Sequence, residues 1–374
     1  MAYMKDRGYQ VDVVDVTTLT QPHLPRDRQN YSAFSEISIH TAESMSELKA
    51  LSKIRDKTDI IISAFGSVGV TPQNIWVFRW LSAAPGIYVK IHCDSYPGMS
   101  RLKGEVSHLG GRLRDFARRW QKGQISLSLS LMARLPIKIF GVRPADYIIY
   151  GGQKSRSRNS LNHPQTKEIW AHSFDHEIFR KLGKEKNIQT DTAVFIDEYL
   201  PFHPDLATRG QTAPVDPEYY YACLRNAFDH VEKETGLKVV IAACPRADYS
   251  NTPNPFGERE IVFYQTGRLI GESKLVLAHR STAIGFAIMF RRPVMLIALE
   301  DAMNHINHQI PMTAYAEALG RQVQLIDENE NMLLDCSLEF DQDTYDTFMS
   351  NYVKTHNSPN AAMWEIVMDE ISVH

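Results

Sequence analysis

At 374 residues the chain is too long for one ordinary hydrophobic core, so two domains of roughly 150–200 residues each are expected. A hydrophobic share of 43% against 23% charged argues against disorder, and a formal net charge of −3 gives no general signal for a nucleic-acid partner. Four scattered cysteines, Cys93, Cys223, Cys244 and Cys336, form no CxxC pair; that argues against a cysteine zinc site and a disulfide scaffold and fits a reducing compartment.

Residues 1–9 carry charges without a following apolar run, so they do not read as a signal peptide. They read as the end of a helix capped by Gly8, ahead of a strand at 10–16. A doubly wound domain begins on a strand, so a further strand is expected ahead of Met1. Residues 45–54 follow as an amphipathic helix, 59–64 as a buried strand running into 65–69, 74–81 as a helix, and 86–92 and 145–150 as strands. Short apolar runs alternating with helices mark a parallel sheet covered on both faces. No apolar stretch reaches the roughly 18–20 residues needed to span a bilayer.

Residues 101–143 carry ten Lys or Arg against Glu105 and Asp115 alone, interleaved with Leu109, Leu113, Phe116 and Trp120. Such a segment suits an anionic membrane surface and, equally, a solvated helix face. Pro201, Pro204, Pro214 and Pro217 then mark the expected boundary between halves. They divide the chain into an acceptor-side domain over 1–205, a donor domain over 206–345, and C-terminal helices over 346–374 packing back on the first domain. The second half alternates again: a helix at 219–234, strands at 237–243 and 260–264, a helical turn at 266–271, a strand at 275–278, a helix at 282–290 and a strand at 294–298. Residues 342–371 read as mostly helical and acidic.

Three strand ends carry chemistry. The strand at 275–278 runs through His279-Arg280-Ser281-Thr282 straight into an apolar helix. Ser281 or Thr282 is placed to cap that helix, and a helix N-terminus with free N–H groups binds phosphate. The hydroxyls and His279 or Arg280 would add donors, and the small residues Ala283, Gly285 and Ala287 would let the helix approach the sheet. A capped core helix without ligand explains the same residues. The strand at 239–243 ends in Cys244-Pro245-Arg246, where Arg246 either grips a phosphate or makes a surface ion pair. The loop carrying Gly257 and Arg259 is long enough to frame a base or ribose. The strand at 193–196 ends in Asp197-Glu198-Tyr199, with His203 and Asp205 close behind. Asp197 is placed to act as base or nucleophile at an anomeric carbon, or to cap the next turn; Glu198 and His203 join it as catalytic candidates.

Weaker candidates are Asp175, which either faces the site or caps a helix, and His92 and Asp94 on the acceptor side. His172/His176 and His305/His308 have helical spacing but no cysteine nearby, and Asp341-Gln342-Asp343 opens a helix rather than ending a strand. No catalytic metal is expected.

Residues 241–249 and 276–297 resemble the donor-binding half of bacterial surface-polysaccharide glycosyltransferases of the GT-B kind. The nearest likeness is to the enzymes of capsule and lipopolysaccharide assembly that use CMP-activated Kdo or sialic acid, above all the β-Kdo transferases. Those enzymes carry a His-Pro motif after one donor-domain strand and a Ser-Thr motif at a later helix start. Ser281-Thr282 match the second motif, and FIDEYLPFHPD at 195–205 resembles their acidic strand-end segment. The His-Pro position reads Cys244-Pro245, a departure that leaves the histidine's nucleotide contact unassigned.

The resemblance implies an α/β fold of two Rossmann-like doubly wound domains facing a cleft. It implies a nucleotide-binding set of Cys244, Arg246, His279, Arg280, Ser281 and Thr282, and Asp197 as nucleophile of a retaining transfer. No cofactor is implied beyond a nucleotide-sugar donor, CMP-linked, with a lipid-linked or oligosaccharide acceptor. The location implied is cytoplasmic, at the inner membrane face reached through 101–143. The same fold also suits a UDP-sugar transferase or a nucleotide-sugar epimerase, and a non-catalytic sugar or phospho-ligand binding protein is the alternative from another class.

Overall fold

The computed structural model describes residues 2–20, 37–65, 70–71, 74–99, 137–156, 161–183, 188–208, 212–250, 253–329 and 333–372. Most of the basic segment, 101–136, and the glycines Gly66 and Gly69 lie outside the described residues. Among the described residues, twelve strands form three parallel sheets.

β1 (Asp12–Asp15) pairs with β2 (Ser38–Thr41), and β3 (Ile60–Ser63), β4 (Ile87–His92), β5 (Tyr147–Tyr150) and β6 (Lys167–Trp170) pair in chain order. Alternate residues of β4 and β5 enter two separate cores, which is why these strands read as continuous apolar runs. Tyr88, Ile148 and Tyr150 pack with Val77, Phe78 and Leu81 of the helix Ile75–Ser82. Val89, Ile91, Tyr147 and Ile149 pack with Met363, Ile366, Val367 and Ile371 of the C-terminal helix Met363–Ser372.

The second sheet has six strands in the order β12 (Val323–Leu325), β11 (Val294–Ala298), β10 (Leu275–Ala278), β7 (Thr192–Ile196), β8 (Lys238–Ala242), β9 (Ile261–Val262). Counted from β7, that is the 3-2-1-4-5-6 order of a Rossmann sheet. The fold is therefore α/β with two Rossmann-like parallel-sheet units. One face of the second sheet packs on the helix Pro217–Thr235 through Tyr220, Leu224 and Phe228. Local signals set that helix: Asp216 accepts the Tyr219 N–H, Pro217 occupies the first turn, and Gly236 ends it at φ +70°.

β7 differs from the sequence expectation. Residues 193–196 were assigned by the proline cluster to the first half, yet β7 is central in the second sheet, between β8 and β10. The change of sheet falls between Trp170 and Thr192. Pro204 and Pro217 each start a helix, Pro204–Thr208 and Pro217–Thr235, and a first-turn proline has the same local signature as a linker proline.

Among the described residues, the two units approach each other closely at Gly98 and Gly152. A Cβ on Gly98 (φ +85°) would lie 3.0 Å from Pro311 Cα, and one on Gly152 would lie 2.4 Å from the Asn351 carbonyl group. No helix among the described residues is long and apolar enough to cross a membrane.

Candidate functional site

β7 and β10 are neighbours, with Ile196 opposite Ala278. The chain leaves β7 toward β8 and leaves β10 toward β11, so the following loops part and open a crevice at the carboxyl edge. Asp197-Glu198 and His279-Arg280-Ser281 flank that crevice, and Cys244-Pro245-Arg246 follows β8 beside it.

Asp197 is 4% exposed. Its Oδ1 accepts the Tyr199 N–H at 2.7 Å, and its Oδ2 accepts the Cys244 N–H at 3.1 Å and the Tyr249 hydroxyl at 2.8 Å. Burial pushes its pKa up, and the three donors oppose that shift. Tyr199, whose N–H meets the carboxylate, adopts a left-handed φ of 52°. Asp197 thus clamps the ends of β7 and β8. The bond from the Tyr199 N–H is the turn-capping alternative for Asp197, and a sealed carboxylate holding three donors differs from a base or nucleophile open to substrate.

His279 is fully buried. Its Nδ1 lies 2.7 Å from the Ile297 carbonyl oxygen and its Nε2 lies 3.0 Å from the Tyr220 hydroxyl. A carbonyl only accepts, so Nδ1 carries the proton and Nε2 accepts from Tyr220. Burial lowers its pKa. With both nitrogens satisfied inside the core, His279 is not a nucleotide contact. The Cys244 side chain is likewise buried, and burial raises its thiol pKa.

Arg246 donates from Nη1 to Asp205 Oδ1 at 2.9 Å and from Nη2 to His203 Nε2 at 3.0 Å. The structure thus gathers Arg246, His203 and Asp205 into one half-exposed cluster, the ion-pair alternative for this arginine. Burial lowers the His203 pKa, and the charges of Glu198 and Arg280 reach its ring.

Arg280 is fixed differently. Its main-chain N–H donates to Glu198 Oε1 at 2.6 Å, and its Nε donates to His308 Nδ1 at 3.0 Å. Glu198 Oε2 stands 3.8 Å from the same Nε. Among the described residues Nη1 and Nη2 have no hydrogen-bond partner, and the side chain is 35% exposed.

The helix after this loop also departs from expectation. It spans Ile284–Met289, capped by Ala283 without a side-chain bond. The N–H groups of Ile284, Gly285 and Phe286 bond to the carbonyls of Ser281, Thr282 and Ala283, so the first turn offers no fan of free donors. Ser281 Oγ accepts the Ala283 N–H at 3.2 Å, and Thr282 is exposed. A Cβ on Gly285 would meet nothing within 4 Å; the close approaches are those of Gly267 to Phe286 and Gly271 to Phe290.

Two further carboxylates are Asp94, after β4 of the first sheet, and Asp175, on the helix that follows β6 and packs on the second unit through Phe179. Asp94 Oδ1 accepts the Phe174 N–H at 3.4 Å at the start of the helix Phe174–Leu182. Ser173 caps that helix, so Asp175 is released from capping. Burial, with the Asp94 charge adding to it, pushes the Asp175 carboxyl up to about 7. Asp94 has exposed surface, yet enough protein surrounds its carboxyl to raise its pKa as well. The Tyr315 hydroxyl donates to the Ser281 carbonyl at 3.0 Å, and the charges of Glu198 and Asp175 both bear on it. His92 is buried against Tyr150 rather than facing an acceptor.

Sequence reasoning missed Tyr249, Tyr315 and the role of His308. The His305/His308 spacing was visible, but nothing in it pointed to Arg280. Among the described residues no group of three His, Cys, Asp or Glu is arranged to hold a metal ion.

No protein-family model matches the chain, and no curated protein sequence matches it. Among solved structures the chain is similar to a UDP-GlcNAc 2-epimerase from Methanocaldococcus jannaschii, at 10% identity and TM-score 0.47, covering 97% of this chain and 99% of that one. It is similar to MurG of Acinetobacter baumannii at 8% identity and TM-score 0.45, covering 99% and 93%. It is also similar to the glycotransferase of kitacinnamycin at 9% identity and TM-score 0.48, covering 100% and 94%.

Proposed function

We propose that this chain is a nucleotide-sugar-dependent glycosyltransferase whose donor phosphate sits on Arg280, in the crevice between β7 and β10. One observation carries the proposal: at the point where the strand order reverses, the Arg280 guanidinium has its Nε held by His308 and, among the described residues, both terminal nitrogens open. An arginine fork of this kind binds phosphate bidentately. The Ser281 and Thr282 hydroxyls border it, and the cluster of Arg246 and His203 stands on the β8 side. Glu198 holds the Arg280 main chain and is a positioning residue in this scheme.

The acceptor enters from the first unit, over 1–191. Its hydroxyl oxygen attacks the anomeric carbon, its proton passes to Asp175, and the bond from that carbon to the phosphate oxygen breaks. Arg280 offsets the charge on the departing phosphate. A carboxylate titrating near 7 is matched to taking a proton at neutral pH. With Asp197 committed as a clamp, one-step inversion fits better than a retaining route through Asp197.

The finer proposal, from the resemblance at 195–205 and 281–282, is a CMP-linked Kdo-type donor and a surface-glycan acceptor, with the 101–143 segment at an anionic membrane face. The paired Asp94 and Asp175 also suit proton exchange at a sugar carbon, so a nucleotide-sugar epimerase is the second reading. It differs in requiring no acceptor.

A thermal-shift screen against CMP, CDP, UDP, UMP, GDP and ADP tests the proposal. A nucleotide at a hundred times its Kd stabilises by about 2.7 kcal/mol. A shift with CMP supports the finer reading, a shift with UDP or GDP supports the transferase with another donor, and no shift with any of the six contradicts it.

A further inference from the structure

We infer that His308 is the residue that aims Arg280, a positioning residue for anion binding that acts without touching the ligand; the inference rests on the donor-site reading above. His308 lies on the helix Ile306–Leu319, is 2% exposed, and receives Arg280 Nε at Nδ1, 3.0 Å away. Arginine has no acceptor, so Nδ1 must present its lone pair and the ring proton must sit on Nε2. That Nε2 is buried with no hydrogen-bond partner among the described residues. An unpaired buried donor is destabilising, and an apolar side chain would avoid it. What the imidazole supplies in exchange is an acceptor at the height of Arg280 Nε.

Glu198 cannot supply it. Its Oε1 is engaged by the Arg280 main-chain N–H, and its Oε2 stands 3.8 Å from Nε. Holding Nε in place fixes the plane of the guanidinium, so Nη1 and Nη2 present a preset fork instead of sampling rotamers. Burial, together with His279, Arg280 and His305, drives the His308 pKa well below its ordinary value, so the ring stays a neutral acceptor at working pH. A protonated ring would set an N–H against the Arg280 Nε–H.

The test compares wild type with H308L and H308N. Asn Oδ1 can stand where Nδ1 stands and accept from Nε; Leu fills the space without an acceptor. Kd for CMP and UDP is measured by calorimetric titration, with the Arg280 Nε–H proton exchange followed by NMR. H308L weakens nucleotide binding at least about tenfold and exposes the Nε–H to exchange, while H308N stays within about threefold of wild type. If H308L fails to fold, H308F, closer in volume, takes its place. Equal Kd and equal exchange in all three proteins overturn the inference. If wild type binds neither CMP, UDP nor any other nucleotide of the six, the donor-site reading falls by itself. The exchange data then still decide: protection in wild type and H308N but not in H308L supports the positioning role, and no difference overturns it.

Discussion

Replacing Asp197 by Asn keeps the shape of the side chain and removes one acceptor oxygen. In the native protein Oδ1 takes the Tyr199 N–H, and Oδ2 takes the Cys244 N–H and the Tyr249 hydroxyl. The amide has one oxygen and one NH2 group. The Tyr249 hydroxyl can rotate to accept from that NH2, but a main-chain N–H cannot. Whichever way the amide turns, either Tyr199 N–H or Cys244 N–H faces another donor. One buried donor left so costs about 1–3 kcal/mol, and loss of the charge-assisted bonds adds to it. Relief of the buried charge, visible in the raised pKa, offsets part of this. The net loss is about 2–3 kcal/mol, a fall in melting temperature of roughly 5–10 °C at 2–4 °C per kcal/mol. Thermal melts followed by circular dichroism read it directly. A D197N protein that melts within a degree of wild type, yet has lost all transfer activity, would refute the clamp and restore Asp197 as a chemical participant.

The Asp175 carboxyl is raised from 3.8 to about 7, so the folded state holds this proton more tightly than the unfolded chain. Stability at this group is full below pH 4, falls as the pH rises toward 7, and levels off above. D175N removes that fall, so its stability relative to wild type rises by on the order of 1–2 kcal/mol from pH 4 to pH 8. Urea denaturation at the two pH values measures it, and an unchanged difference counts against a raised Asp175 pKa. Gly98→Ala puts a Cβ 3.0 Å from Pro311 Cα at a left-handed φ of 85°. It is expected to destabilise by about 1–3 kcal/mol, and a wild-type urea midpoint would show that the loop after β4 does not pack on the Pro311 helix as described.

Much of the second sheet is legible in the sequence because it is buried on both faces. Val294–Ala298 and Leu275–Ala278 are unbroken apolar runs for that reason. Partners from distant segments are not legible. His279 ends an apolar strand and reads as a polar donor, but its fate is decided by Tyr220, 59 residues earlier, and by the Ile297 carbonyl. Asp197 reads as an available carboxylate until Cys244 and Tyr249 are folded onto it. Arg246 and Arg280 look alike in sequence. Only the fold reveals that one is tied to Asp205 and the other is hydrogen-bonded to His308. The Ser281-Thr282 cap failed for a local reason: tight i→i+3 bonds shift the helix start to Ile284.

Titration of wild type, Arg280→Ala and Arg246→Ala with CMP and UDP tests the nucleotide crevice most directly. Removing a charged donor pair from bound phosphate costs about 1.5–3 kcal/mol, so Arg280→Ala should weaken binding roughly ten- to a hundredfold. Arg246→Ala should change it less than about threefold, because its guanidinium is already engaged by Asp205 and His203. Undiminished binding by Arg280→Ala, or an equal loss in both variants, would contradict a phosphate site built on Arg280.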